Sequence, residues 1–395
     1  MNLGHDESLP QVEALDAERA ESPDDVQQAP LRSTHTANFP ELLDQIGCSL
    51  LVTTYQAQKL LMVRSDGGRL NTHFRDFLSP MGLALEGDRL AIGTLRQIME
   101  FHNIPAVAGN LDPAGRYDAC FLPRSTHATG NIQVHEMAWG RDELYFVNTR
   151  FSCICVLDRI HSFVPWWKPA FISGLAPEDR CHLNGLTMKD GQPKFVTALA
   201  ATDSPAGWRE NKAHTGIVID IPSGEVVSTG LSMPHSPRWH NGRLWVCDSG
   251  TGSLGTIDLG TGKYEPIAFL PGFTRGLDIL GNLAFVGLSQ VRETAIFSGI
   301  PIADQRESLR SGVWVVNLDS GQTIAFLQFE DALQEIFAVT VMRRFRFPEL
   351  INDDPERLNN SFVLPDQALT AVPQQFRFSS PDRMQELAGT APISS

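Results

Sequence analysis

The chain has 395 residues, 42% of them hydrophobic, and a formal net charge of -14. That length can bury a substantial core in one large β domain or two average ones, while the acidity argues against general nucleic-acid binding, which needs a basic surface to meet phosphate. No stretch approaches the ~20 apolar residues of a membrane-spanning helix.

The N-terminal "MNLGHDESLPQVEALDAERAESPDD" is acidic and has no charged-then-apolar leader. Residues 1–37 are therefore expected to be a disordered acidic tail. Cys48, Cys120, Cys153, Cys155, Cys181 and Cys247 are scattered without zinc-finger or C-x-x-C spacing, which fits a reduced, cytoplasmic protein.

From residue 48 onward the chain repeats. "CSLLVTTYQAQKLLMVRSD" supplies two strands around a polar turn but no strand before them. Five fuller copies begin at Met81, His135, Asn184, His235 and Arg275, each with a short strand, a Gly- or Asp-containing tip, an alternating strand such as "ELYFVN" or "RLWVCD", a polar turn and a third strand. A sixth copy begins at Glu335 with "EIFAVTVM" and then breaks off. Each end of the chain thus lacks what the other end has.

A ring closed by pairing the C-terminal strand with the N-terminal strands accounts for both defects and removes sheet edges. The reading is an all-β, six-bladed β-propeller over residues 38–347, followed by a mostly irregular extension over 348–395 in which "SFVLPDQALTAVP" could lie along a blade.

In a propeller the first strand of each blade lines the central channel, so the six starting residues form a ring at its mouth. His135, His235 and Glu335 alternate around that ring, and imidazole with carboxylate suits Zn, Mn, Fe or Cu. They are the candidate ligands of a divalent metal ion; the alternative is that they hydrogen-bond across the channel. Arg275 offers a fork for an anion or a partner for Glu335. His182 shares a side of the strand with Asn184 and is a candidate proton carrier. Glu136 should alternate away from the channel, with a role as base also open.

Around the ring, Arg96, Arg150 and Arg292 fall in turns of the same face, and Asn184 in the ring itself, as substrate-binding candidates. Two insertions are expected on that face. "RIHSFVPWWKPAFISGLAPEDRCHLNG" carries Trp166 and Trp167, and "SPAGWRENKAHTG" carries Trp208. These tryptophans could stack on a ligand or pack as folded loops.

The motifs "HLNGLTM", "LSMPHSPRW", "SGTGSLG", "PGFTRGL" and "FVGLSQVRET" resemble those of an uncharacterised bacterial family of conserved hypothetical proteins, sometimes labelled as tetratricopeptide-containing. The resemblance covers about residues 38–347 and implies no particular activity. More distantly the architecture is similar to lactonase and strictosidine-synthase-like propellers. There Glu335 and Asn184 match metal-holding positions, but His235 or Arg275 stands where an Asp is expected.

Two functions follow as expectations. One is a metal-assisted hydrolase, lyase or epimerase acting at the channel mouth on a small polar, carbohydrate-like or peptide substrate, with catalytic roles for His182, Glu136 and Arg275. The other is a non-catalytic module that uses the same face to hold a small molecule, glycan, peptide or partner protein.

Overall fold

The computed structural model describes residues 32–141, 143–291, 298–330 and 332–377. Six antiparallel four-stranded sheets follow one another around a central channel. Blade 1 is the closing one. Its innermost strand, Ala338–Arg343, comes from the C-terminal side and pairs with Cys48–Thr54, in register from Thr53 opposite Ala338 to Cys48 opposite Arg343. Lys59–Asp66 and Arg69–Asp76 complete it.

The inner strands of blades 2 to 6 are Leu83–Glu86, Val134–Trp139, Leu183–Lys189, Pro234–His240 and Phe273–Leu280. The paired region runs past residues 38–347 at both ends. Ser33–His35 adds an antiparallel fifth strand outside blade 6, and Pro348–Leu350 a parallel one outside blade 2. The rest of the expected acidic tail, residues 1–31, lies outside the described residues.

Period-two alternation explains how the blades stack. Along Arg243–Asp248, Leu244 and Val246 face blade 4 and pack with Phe195 and Val218, whereas Trp245 and Cys247 face blade 6 and pack with Val286 and Trp314. Leu50 and Val52 likewise join the blade 6 side while Leu51 joins blade 2. Every strand therefore serves two cores, and each blade junction has its own apolar cluster. The helix Phe39–Ile46, started by Pro40 and ended by Gly47 at φ 66°, lays Phe39 and Leu43 on the junction of blades 6 and 1.

Polar latches close the junctions nearest the channel. Thr53 Oγ1 donates to Met81 O (2.7 Å), Thr149 Oγ1 to Leu183 O (2.6 Å), Ser249 Oγ to Thr274 O (2.5 Å) and Ser289 Oγ to Ile336 O (3.1 Å). Asn184 Nδ2 donates to Pro234 O (3.1 Å), and between blades 2 and 3 the Gly82 N–H donates to Val134 O (3.3 Å). Each blade thus bonds to the inner strand of the next, which fixes the strand ends where the channel opens. Among the described residues no helix is long and apolar enough to cross a membrane.

Candidate functional site

The inner strands do not keep simple alternation at the mouth. Register shifts interrupt them between the Phe146 and Asn148 pairings in blade 3, between His235 and Arg238 in blade 5, and between Thr274 and Leu277 in blade 6. Bulges of this kind re-aim side chains. Ser236 and Gly276 sit in them at φ 51° and 80°, and the Gly276 N–H donates to Ser236 Oγ at 3.0 Å. At Gly276 an added Cβ would lie 2.8 Å from Val339 N, so the position needs glycine on two counts.

His135, Glu136, Asn184, His235, Ser236, Arg275 and Phe337 line one small recess. It measures about 250 Å³ including its opening to solvent, but the space left for water centres is about 10 Å³, room for about one water molecule.

Two of its walls are built alike. His135 Nδ1 lies 3.0 Å from Gln133 O and 2.8 Å from Thr149 Oγ1; His235 Nδ1 lies 2.9 Å from Met233 O and 3.0 Å from Ser249 Oγ. A carbonyl only accepts, and each hydroxyl already donates to the next blade, so Nδ1 carries the hydrogen in both rings. In the neutral imidazole the bare lone pair is then on Nε2, which has no hydrogen-bond partner among the described residues. Burial holds both rings' pKa well below the usual histidine range, and Arg275 and then His182 push the same way. Both rings are neutral proton acceptors at pH 7.

His182 joins them from the loop before blade 4. It meets His135 edge to face at 4.9 Å between centroids, and its Nδ1 is 2.8 Å from Asp179 Oδ2. Trp208 lies against its other side at 4.5 Å and donates from Nε1 to the same Asp179 oxygen at 3.0 Å. Asp179 and His182 are both left-handed, at φ 49°, a backbone cost of order 1–3 kcal/mol for non-glycine residues. Arg180 holds this loop, pairing with Glu178 and Asp203 at 2.7 Å each.

Several expectations are corrected here. Glu136 does not turn away between blades: the bulge brings it into the recess, where it pairs with Arg238 of blade 5 at 2.9 Å. Burial raises its pKa and Arg238 lowers it, with burial dominant. Trp166 and Trp167 are not on the mouth. Val164–Trp167 is the outermost strand of blade 3, where Trp167 opposes Ile154 and Trp166 packs edge-on against Tyr145.

Trp208 is no exposed stacking surface but is 2% exposed, within an apolar cluster with Met233, Phe273 and Ile302 that covers the histidines. Trp208→Ala is expected to cost about 3–5 kcal/mol, as for emptying a buried aromatic site. Trp166→Ala, at a side chain 42% exposed, should cost under ~1 kcal/mol. Urea denaturation compares the two directly.

Of the remaining candidates only Asn184 lines the recess. Arg96 is exposed. Arg150 donates to the Asn131 and Pro177 carbonyls. Asn184 spends its amide on Pro234 O and on accepting from Thr197 Oγ1. Arg292 lies outside the described residues. Glu335 is buried but does not line the recess. Among the described residues no three His, Cys, Asp or Glu side chains form a set able to hold a metal ion, and the recess carboxylate Glu136 is engaged by Arg238.

Asp179, Thr149 and Phe337 were not singled out by sequence, whereas the turn that carries Ser249 was expected on this face. Thr149 had a signal, since it lies 14 residues after His135 just as Ser249 lies 14 after His235, at the same place in the repeat.

A family model described as a domain of unknown function (DUF4915) matches residues 37–351. No curated protein matches. Among solved structures the chain is similar to one from a nidogen/laminin complex, at 9% identity over 75% of this chain and 99% of that one, with a TM-score of 0.49. It is also similar to a protein of unknown function from Bacteroides caccae, at 10% identity, 75% and 99% coverage and a TM-score of 0.47. A third likeness is to virginiamycin B lyase from Staphylococcus aureus, at 12% identity, 72% and 77% coverage and a TM-score of 0.38. All three likenesses concern the fold.

Proposed function

The chain belongs to the DUF4915 family, and we propose that its channel mouth is an active site for proton transfer on a small polar ligand, as in a lyase or epimerase. The observation that carries this reading is the pair of locked imidazoles. Two neutral rings present bare Nε2 atoms at one recess beside a cationic Arg275. An inert scaffold gains nothing from that arrangement, whereas a base needs an unprotonated, oriented acceptor.

His182 is the third imidazole, oriented by Asp179 and less enclosed than the other two. It is suited to pass a proton between the recess and solvent. The apolar cover that includes Trp208 and Phe273 limits water at the reacting group.

A metal-assisted version keeps one supporting feature: metal-bound histidines commonly donate their second nitrogen to a carbonyl, as His135 and His235 do. Arg275 opposes it, because its charge disfavours a second cation beside the same two rings. Elemental analysis of protein purified without chelator separates the versions. Less than stoichiometric Zn, Mn, Fe and Cu is expected; a stoichiometric ion lost in the H135N/H235N variant would put the metal first.

The activity test is incubation in D2O with a panel of small hydroxy, keto and amino compounds, followed by mass spectrometry. At least one compound should exchange a C–H for deuterium or undergo elimination, and His235→Asn should slow that by about 10²–10⁴. Ligands that bind at the mouth but emerge unchanged would favour the binding-module reading.

A further inference from the structure

Arg275 enters the recess from the inner strand of blade 6 and lays its guanidinium over the Phe337 ring, 3.7 Å from the centroid. The inner-strand Arg238 is satisfied by Glu136, and the buried Arg64 farther out by Asn71 and the Pro348 carbonyl. Arg275 differs. Among the described residues its guanidinium makes no hydrogen bond and no ion pair, so five N–H donors on a fixed plane face a space lined by polar groups. Burial weakens the guanidinium's hold on its proton, and Tyr55, Glu335 and Glu136 partly counter this through space.

A half-buried fork with no protein acceptor is open to one that arrives from solution. The acceptor that matches it is planar and bidentate. Tetrahedral phosphate matches it less well, because stacking on Phe337 leaves the planar guanidinium edge as the open side. The Nε2 lone pairs of His135 and His235 set a second requirement. They repel an anionic oxygen and attract a donor, so the ligand must place an O–H or an acidic C–H next to its anionic group.

We propose that the channel mouth takes a small hydroxycarboxylate, its carboxylate forked by Arg275 and its hydroxyl donating to Nε2 of His135 or His235. This rests on the channel mouth being the ligand site. Arg275 sets the charge of the ligand, and the imidazoles set the position of its neighbouring hydroxyl.

The test is a titration of full-length protein followed by the imidazole resonances in NMR, with four probes: glycolate, acetate, glycolamide and inorganic phosphate. Glycolate should bind saturably. Acetate, which lacks the hydroxyl, and glycolamide, which lacks the charge, should each bind at least about tenfold more weakly. Arg275→Gln should weaken glycolate by about 10- to 100-fold and abolish its advantage over glycolamide, with Arg275→Lys in between because it keeps charge without the fork.

Glycolamide or phosphate binding as tightly as glycolate would overturn the carboxylate assignment, as would an unchanged glycolate affinity in Arg275→Gln. In those cases shifts of the His135 and His235 resonances would still uphold the mouth as the ligand site. If no probe moves those resonances, the ligand site and the carboxylate fall together.

Discussion

Ending the chain after Ile336 should abolish cooperative unfolding. The deletion removes Ala338–Arg343, the innermost strand of blade 1, and leaves Cys48–Thr54 with an open edge facing the channel. It also takes away Val339 and Val341 from the core shared by blades 6 and 1, and Phe337 and Met342 from the core shared by blades 1 and 2. Each buried apolar side chain of this size is worth about 1.5–3 kcal/mol, so four of them rival the ~5–15 kcal/mol net stability of a whole domain. A chain ending instead at residue 360 keeps the strand and the Pro348–Leu350 addition, and should melt in one transition near the full-length value. Differential scanning calorimetry of the two chains is the measurement. Equal cooperative melts would mean that the ring does not depend on this strand.

Acidification should unfold the protein through the two recess histidines. In the unfolded chain each imidazole has an ordinary pKa of about 6.5; in the fold burial holds both well below that. As the pH falls below ~6.5 the unfolded chain takes up protons that the folded one refuses. Their stabilising contribution is therefore complete above that pH and is lost as the pH drops toward the folded values. Each ring gives a slope approaching about 1.4 kcal/mol per pH unit between its unfolded and folded pKa, so the pair sets an upper bound of about 4 kcal/mol on the loss between pH 7 and pH 5.

H135N/H235N keeps an N–H donor for the Gln133 and Met233 carbonyls but cannot titrate. It should start less stable at pH 7 and lose less than the natural chain on going to pH 5, by at most about 4 kcal/mol. Urea denaturation at the two pH values reads the difference directly. A double variant with an undiminished loss would show that the acid sensitivity lies elsewhere.

The fold was legible in the sequence because a blade repeats its chemistry as well as its length. The orphan strands at residue 48 and at Glu335 could be matched only by closing a ring, and they do pair. Placing His135, His235 and Arg275 at one mouth followed from the same repeat. Glu136 was not legible, because the residues of an inner strand were assigned to faces by alternation and a bulge breaks that alternation just where the recess forms.

Trp166 and Trp167 misled for a different reason. Their strand comes after the polar segment "DRIHSF", which reads as an insertion rather than as the approach to a fourth strand. Asp179 lies in a loop whose left-handed backbone depends on the hydrogen bonds and ion pairs around it, and no periodicity points to such a residue.

The Glu136–Arg238 pair has a consequence for traffic. It joins the inner strands of blades 3 and 5 directly, on the inner side of the recess that holds the histidines. A ligand that enters at the mouth would meet this ion pair and leave by the path it came. If the mouth carries the proton-transfer chemistry proposed above, a spent molecule would block its successor, and turnover would be strictly sequential at a single doorway. Departure of the product would then compete with that chemistry as the slow step, and a variant that loosens the cover around Trp208 would speed release even as it lets water in.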